Sequence, residues 1–310
     1  MIVVCGEALM DVFDGGAHAH GQALDARVGG SPFNVAVGLA RLGQPVAFCG
    51  ALSSGFLGQR LARALDDESV HTGCVQHVDA PTSLCVIGLD ARGVPRYDFL
   101  GAGGADRLLS EAVLEQIPAD TRAIQVGSYA MVVEPVATTQ RALVERDHTR
   151  RLIAYDPNVR LVVEPALARW REALVWMLPR THLLKISEED LGLLFPGQSP
   201  DAAAAQWLRA GVKWVVLTRG ERGALAWLPG GERVEAAPVP ATVIDTVGAG
   251  DTFQAALLTW LAEHGRLSID GVATLRTDDV RAALAFAAQA AALTCSRRGA
   301  DLPRRAELHI

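Results

Sequence analysis

The chain has 310 residues, of which 50% are hydrophobic, and its formal net charge is −6 at pH 7. This composition can build a large buried core, and the acidic balance argues against nucleic acid as a partner. No apolar run is long enough to span a bilayer and no positive segment opens the N-terminus, so we expect no membrane partner and a cytoplasmic location.

Short apolar runs alternate with helical patterns along most of the chain. Strands are predicted at residues 2–5, 46–52, 123–127, 152–156, 182–186 and 214–218. Helices are predicted at residues 34–41, 58–66, 135–146, 165–176, 202–210 and 280–296. This alternation predicts an α/β fold, in which helices cover both faces of a parallel sheet and ligands bind at the carboxyl ends of the strands.

Two segments, at about 11–28 and 84–104, interrupt the alternation. In the second, residues 84–89 and 96–99 flank the turn-forming residues 90–93. This pattern predicts a β-hairpin. We therefore expect both segments to form a small β excursion from a single domain that spans residues 1–310.

A glycine-rich block, GGSPFN, occupies residues 29–34. Adjacent glycines allow the backbone to approach a ligand closely. Asn34 stands where an N-cap is expected, before an apolar helical pattern that ends at Gly43. The block therefore predicts a helix that begins beside a binding site, with Asn34 as its cap.

Polar residues follow several of the predicted strands. Asp11 comes after the first strand, whereas Asp156, Lys185 and Thr218 lie at the ends of later strands. Pro157 disfavours a helical conformation at Asp156 and holds it extended. Because the carboxyl ends of parallel strands share one edge of a sheet, we expect these side chains to lie near one another.

The sequence DTVGAGD at residues 245–251 is the most informative stretch of the chain. Gly248 and Gly250 permit a tight turn, and the free N–H groups of the helix that follows favour an anion. Asp251 falls in the first helical turn, where we expect the helix terminus to keep its carboxylate ionised. An anion site beside a base is what phosphoryl transfer needs, although Asp251 could also be a simple helix-terminal acid.

The blocks at 29–43 and 245–252 resemble the two signatures of the ribokinase-like (pfkB) sugar kinase family, and the resemblance runs from residue 2 to about 303. It implies a three-layer ribokinase-like fold: a central, mostly parallel sheet with helices on both faces, plus a small β lid from 11–28 and 84–104. Such lids often pair two subunits, so we expect a homodimer. In the family the final Asp is the base and the Gly-Ala-Gly amides form an anion hole. These roles fall to Asp251 and to Gly248, Ala249 and Gly250.

The resemblance assigns further roles to individual residues. Sugar contacts are carried over to Asp11, Gly30, Asn34, Phe99 and Arg160. Nucleotide contacts are carried over to Lys185, Ser187, Asp190, Thr218, Gly220, Gly223 and Gln289. Mg²⁺ is expected with the ATP, and a monovalent cation such as K⁺ near Asp245 and Val247. The chain departs from the family at Ser187 and Asp190, where Asn-x-x-Glu is usual, and at Gly101, where fructokinase relatives often carry Arg.

The resemblance implies an ATP-dependent sugar kinase, and DPNVR at 156–160 favours the fructokinase-like branch. The expected reaction is phosphorylation of the terminal CH2OH of fructose. A 2-keto-3-deoxygluconate kinase, with Arg92 or Arg96 as a positive lid residue, stays open, as do a nucleoside kinase and a non-catalytic sugar- or nucleotide-binding protein. The lack of a Walker A motif excludes a P-loop kinase, and the lack of His-Arg-Asp and Asp-Phe-Gly excludes a protein kinase. A dinucleotide-binding dehydrogenase is disfavoured because no Gly-x-Gly-x-x-Gly follows the first strand.

Overall fold

Most of the predicted strands lie side by side in one central sheet. The computed structural model describes residues 1–89 and 95–308. Its strands are β1 (Ile2–Cys5), β2 (Leu9–His18), β3 (Gly21–Gly29), β4 (Val46–Ser53), β5 (His71–Val78), β6 (Leu84–Leu89), β7 (Pro95–Leu100), β8 (Ala123–Gly127), β9 (Leu152–Asp156), β10 (Leu183–Ser187), β11 (Trp214–Thr218), β12 (Ala224–Trp227) and β13 (Arg233–Ala236). Nine of them form the order β13-β12-β11-β10-β9-β8-β1-β4-β5. The pairings from β11 to β5 are parallel, which confirms the mostly parallel sheet predicted from the sequence.

Three strands that the sequence analysis missed lie at the two edges of this sheet. β5 forms one edge, and the antiparallel pair β12–β13 forms the other. β13 buries Val234 and Ala236 but exposes Arg233 and Glu235. β5 and β13 each have exposed residues and lack the continuous apolar run by which the buried central strands were recognised, whereas β12 is a buried run of only four residues.

Helices lie on both faces of the central sheet. They are α1 (Ser31–Arg41), α2 (Phe56–Asp67), α3 (Val136–Asp147), α4 (Leu167–Met177), α5 (Glu188–Leu194), α6 (Pro200–Ala210), α7 (Ala249–Glu263), α8 (Ile269–Ala273) and α9 (Thr277–Cys295). Alternate residues of β1 enter two separate cores: Ile2 and Val4 pack with α1, α2, α7 and α9, whereas Val3 and Cys5 pack with α3, α4, α5 and α6. This is the three-layer arrangement expected from the alternation. Within the described ranges, no helix combines the length and apolar character needed to cross a membrane.

The two segments that interrupt the alternation form a second sheet of four strands, in the order β3-β2-β6-β7. Asp11 lies inside β2, opposite Arg27 of β3 on one side and Cys85 of β6 on the other. Cys85 is in turn opposite Phe99 of β7. Residues that pair across neighbouring strands point to the same face, so Asp11 and Phe99 share one face of this sheet. The turn predicted at residues 90–93 lies outside the described residues.

Candidate active site

Asp251 is buried where the first turns of α1 and α7 meet. The Ser31 hydroxyl donates to Asp251 Oδ1 (2.6 Å), and Asn34 Nδ2 donates to Asp251 Oδ2 (2.8 Å). Gly248, with φ of 79°, turns the chain into α7 and brings Asp251 into its first turn. The two glycine-rich blocks, which lie more than two hundred residues apart in the sequence, therefore meet at one carboxylate.

The prediction that Asn34 caps its helix is wrong. α1 begins at Ser31 with Gly30 as the N-cap, and Pro32 occupies the first turn, where its missing N–H costs nothing. Asn34 consequently lies within the helix, and its amide is free to bind Asp251 rather than the helix terminus.

Burial acts against the expected effect of the helix terminus on Asp251. Burial raises the pKa of Asp251, and it outweighs the hydrogen bonds from Ser31 and Asn34 and the positive charges of Lys185 and Arg160. A helix terminus stabilises a charge by a modest amount, whereas removing a carboxylate from water penalises its charged form strongly.

Gly30 stands where no side chain fits. Its φ is 104°, and a Cβ at this position would lie 2.8 Å from the Glu7 carbonyl oxygen. A Cβ on Gly29 would lie 2.2 Å from Asp11 Oδ2. The two glycines therefore let the chain pass between β2 and α1 close enough to put Asp11 beside the N-terminus of α1.

Asp11 lies in the second sheet, facing the same site from the other side. Burial and the nearby carboxylate of Asp251 raise the pKa of Asp11 to about 6, while Arg160 acts in the opposite direction. Arg160 is an exposed residue after β9, and its Nη1 donates to the Val159 carbonyl (3.0 Å). The structure thus brings the predicted sugar residues Asp11 and Arg160 within electrostatic range of Asp251.

Lys185 forms a buried ion pair next to the glycine-rich turn at residues 245–251, the anion turn. Its ammonium lies 2.7 Å from Asp156 Oδ2, and the two side chains are only 5% and 6% exposed. A Cβ on Gly250 would lie 3.1 Å from Lys185 Nζ, so the ammonium touches the face of Gly250 that lacks a side chain. Asp156 Oδ1 is buried and has no hydrogen-bond partner among the described residues. A positive charge is therefore held where the turn is expected to bind an anion.

The amides of the anion turn are not equivalent. The N–H of Ala249 donates to the Thr246 carbonyl (3.2 Å) inside the turn itself. In the part of the chain that the structure describes, the N–H groups of Gly248 and Gly250 have no such acceptor. The predicted anion hole is thus reduced from three amides to these two, with the Lys185 ammonium beside them.

A cavity of about 420 Å³ opens in front of this turn. Among the residues that line it are Arg160, Lys185, Ser187, Asp190, Thr218, Gly220, Thr246 and Gly250. Most residues predicted to bind the nucleotide therefore share one space. Gly223 and Gln289 are not among the lining residues. A Cβ on Gly223 would lie 2.1 Å from the Ala236 carbonyl oxygen, which gives this glycine a packing reason in the β12–β13 hairpin.

Ser187 and Asp190 also support the backbone around the cavity. Ser187 Oγ accepts from the Asp190 amide (3.0 Å) as the N-cap of α5, and Asp190 Oδ1 accepts from the Val159 amide (3.2 Å). Burial, followed by the charge of Asp156, raises the pKa of Asp190 to about 6. Asp190 therefore fixes the loop that carries Arg160 and also presents a carboxyl group to the cavity.

The predicted cation residues brace two loops. Asp245 Oδ1 accepts from the Val247 amide (3.0 Å), and Asp245 Oδ2 accepts from the Gly299 amide (2.8 Å). The carboxylate therefore joins the anion turn to the loop after α9. Among the described residues, no group of three or more His, Cys, Asp or Glu side chains is arranged to hold a metal ion.

Comparison with known proteins gives one consistent family. A model described as "pfkB family carbohydrate kinase" matches residues 1–306. The fructokinase of Rhizobium leguminosarum bv. trifolii is 32% identical over 285 residues, which cover 91% of this chain and 86% of that protein. The structure of Xylella fastidiosa fructokinase with bound ATP superposes with a TM-score of 0.87 at 24% identity, covering 99% and 96% of the two chains. A double mutant of Vibrio cholerae O395 fructokinase, bound to fructose, ADP and potassium ion, gives 0.82 at 25% identity and covers 99% and 96%.

Glu7 is a residue of this site that the sequence analysis missed. It follows β1 directly and is buried, and burial raises the pKa of Glu7 to about 8 although a hydrogen bond from Ser128 lowers it. Glu7 Oε2 has no hydrogen-bond partner among the described residues. Like Asp11, Glu7 is an acidic residue that follows the first predicted strand, but the sequence alone does not distinguish a buried acid from a solvated one.

We predict that Glu7→Gln stabilises the protein increasingly as the pH rises from 4.5 to 8. Glu7 has an ordinary pKa of 4.5 and a folded-state pKa of about 8, so folding takes up a proton in this range and the wild type loses stability with rising pH. Glutamine is neutral throughout, so the stability difference should grow by up to about 1.4 kcal/mol per pH unit. Urea unfolding at pH 5, 6, 7 and 8 measures it, and a constant difference would contradict the protonated Glu7.

Proposed function

Because the chain belongs to the pfkB family of carbohydrate kinases, we propose that it transfers the γ-phosphoryl group of ATP to the terminal CH2OH of fructose. The protein is thus a phosphotransferase that acts on a sugar hydroxyl, as the sequence blocks predicted. The observation that carries the proposal is the buried Asp251, held by Ser31 and Asn34 at the head of the anion turn. Fructose is the proposed substrate because the similar proteins are fructokinases.

Asp251 acts as the base in this proposal. It accepts the proton of the CH2OH, the sugar oxygen bonds to the γ-phosphorus, the bond from that phosphorus to the β–γ bridging oxygen breaks, and ADP leaves. The hydrogen bonds from Ser31 and Asn34 fix the direction of the carboxylate. A raised pKa makes Asp251 a stronger proton acceptor than an exposed aspartate would be. The positive charges of Lys185 and Arg160 oppose the effect of burial and favour the ionised form that the step requires.

The amides of Gly248 and Gly250 and the Lys185 ammonium stabilise the transferred phosphoryl group. They converge on the same point because Lys185 packs against Gly250. Asp156 holds the ammonium in position by the 2.7 Å ion pair. Preorganised positive groups of this kind contribute most when they need no rearrangement during the reaction. We assign the sugar contacts to Asp11, Gly30, Asn34, Phe99 and Arg160.

The cavity in front of the turn fits ATP with a divalent metal ion. Mg²⁺ usually binds through one or two carboxylates together with substrate phosphates, which agrees with a cavity that offers Asp190 but no all-protein metal cage among the described residues. When bound, Mg²⁺ supplies charge that neutralises the phosphate oxygens. Asp190 lines the cavity together with Glu188 and Glu189, and we assign the hydration shell of the metal ion to these carboxyl groups, Asp190 first. For a monovalent cation we propose the loop that Asp245 and Val247 share with Gly299.

We further propose that the second sheet works as a lid over the sugar and pairs two subunits. Leu24 and Leu100 of this sheet are 59% and 55% exposed, which supports an apolar contact there. A 2-keto-3-deoxygluconate kinase would need a positive lid residue; Arg96 is exposed, and Arg92 lies outside the described residues. The cytoplasmic location stays a prediction.

The experiment that tests the function is ADP release with Mg·ATP against fructose, ribose, tagatose, 2-keto-3-deoxygluconate and adenosine. We expect the highest kcat/KM with fructose. A preference for 2-keto-3-deoxygluconate or adenosine would keep the kinase chemistry and replace the substrate. Absence of turnover with every member of the panel would contradict the proposed activity.

Asp251→Asn should lower kcat by about 10²–10⁴-fold while leaving the affinity for ATP nearly unchanged, because a general base acts mainly in the transition state. Ser31→Ala is the matched control: it removes one of the two hydrogen bonds that orient Asp251 but keeps the base, so its loss should be much smaller. Steady-state kinetics and ATP titration measure both effects. Equal losses in the two variants would remove Asp251 from the role of base.

Fructose binding without nucleotide should weaken as the pH falls through about 6, the pKa of Asp11. Ionised Asp11 accepts hydrogen bonds from sugar hydroxyls, whereas the protonated form loses acceptor capacity. Affinity should therefore be complete well above pH 6 and roughly tenfold lower one unit below it. Calorimetric titration at several pH values measures the midpoint. Asp190→Asn removes the other carboxyl group with a pKa of about 6 and should leave that midpoint in place; if the midpoint disappears, Asp190 is responsible.

A further inference from the structure

The ring of Phe99 is enclosed on several sides before any sugar binds. Tyr129 packs edge-on against it with ring centroids 5.5 Å apart, and the Arg107 guanidinium lies 5.7 Å from its centroid. A Cβ on Gly101 would lie 2.2 Å from a ring carbon of Phe99. The glycine that departs from the fructokinase pattern thus leaves room for this ring. Phe99 occupies one defined position, which its neighbours determine.

Asp106 connects these neighbours. It lies in a short 3₁₀ helix, Ala105–Arg107, just after β7, and it is 1% exposed. Asp106 Oδ2 accepts from the Tyr129 hydroxyl (3.0 Å), and Asp106 Oδ1 accepts from the Ser83 hydroxyl. Burial raises the pKa of Asp106, whereas the two hydroxyl donors and Arg107 lower it. Both oxygens of a buried carboxylate are therefore satisfied by side chains from different parts of the fold.

These partners place Asp106 at the junction of the two sheets. Ser83 immediately precedes β6, and its carbonyl accepts from the Met10 amide, next to Asp11, at 3.0 Å. The Ala105 amide donates to the Pro81 carbonyl (2.8 Å), which ties the two ends of the β6–β7 hairpin together. Tyr129 follows β8 of the central sheet. Asp106 thus fastens the hairpin that carries Phe99 to the body of the protein.

We propose that Asp106 is a positioning residue that holds Phe99 at the sugar through the hydroxyl and ring of Tyr129. This inference rests on the proposed sugar kinase function, in which Phe99 contacts the sugar. A carboxylate suits the task because it accepts from both Ser83 and Tyr129, whereas asparagine has a single acceptor oxygen. Losing either bond leaves a buried polar group unsatisfied and lets the Tyr129 ring move, and Phe99 follows.

Asp106→Asn and Tyr129→Phe test the proposal. Each should raise KM for fructose by about five- to tenfold and change kcat and the KM for ATP by less than about twofold, because Phe99 binds sugar but takes no part in the transfer. Tyr129→Phe removes one oxygen and keeps the ring, so it remains informative if Asp106→Asn fails to fold. Wild-type KM values in both variants would overturn the proposal.

Asp147→Asn is the matched control for loss of a buried carboxylate. Asp147 is 0% exposed and pairs with Arg146, Arg150 and Arg151. It precedes β9, and therefore lies toward the amino-terminal ends of the parallel strands, whereas the site lies at their carboxyl ends. This variant should lower the melting temperature without raising KM for fructose. A comparable rise in KM would mean that the effect of Asp106→Asn is general destabilisation.

A double-mutant cycle with Phe99→Ala separates positioning from independent contact. If Asp106 acts through Phe99, adding Asp106→Asn to Phe99→Ala should change KM little further; additive effects would overturn the proposed route. The cycle is measured with the sugar that the wild type uses best. An active wild type with additive variants contradicts the role of Asp106 alone, whereas a wild type that phosphorylates no sugar contradicts the proposed function.

Discussion

The constraint on which the site depends is the burial of Asp251. A carboxylate removed from water must be satisfied by donors held in place, and here the donors are Ser31 and Asn34 of another helix. This requirement fixes the first turns of α1 and α7 against each other. It also explains the glycines around them, because Gly30 and Gly248 both adopt positive φ where the chain enters these helices. The positions of the anion turn and of the glycine-rich block at residues 29–34 are therefore consequences of one packing arrangement.

Acidic side chains are numerous around Asp251, whereas basic side chains are few. Burial raises the pKa values of Glu7, Asp11 and Asp251, to about 8 for Glu7 and to about 6 for Asp11. Lys185, one of only two lysines in the chain, forms an ion pair with Asp156 at the anion turn. Positive charge held close to Asp251 opposes the effect of burial and favours the ionised form of its carboxyl group.

Sequence patterns predicted the parts of the structure that depend on local chemistry. Strands β8, β9 and β11 have the predicted bounds, because they are buried on both faces and read as continuous apolar runs. β5 and β13 were missed because buried and exposed residues are mixed within these edge strands. Asn34 satisfies the local rule for a cap, but a tertiary hydrogen bond to Asp251 takes its side chain instead. The burial of Glu7 and Asp106 depends on contacts between distant segments, which no local pattern encodes.

In the proposed function, the two sheets have separate roles. Asp251, Lys185 and the anion turn belong to the central body, where a change would affect transfer to any acceptor. Asp11 and Phe99 lie on one face of the second sheet and reach the site from outside that body. In the proposed function, substitutions in the second sheet can therefore alter which sugar fits without disturbing the base or the phosphoryl site, provided that the two sheets keep their relative position. The hydrogen bonds of Asp106 with Ser83 and Tyr129 help to keep this relative position, because they join the β6–β7 hairpin to the segment that follows β8. In the proposed kinase, sugar selectivity therefore depends on a buried link between the sheets as well as on the residues assigned to the sugar.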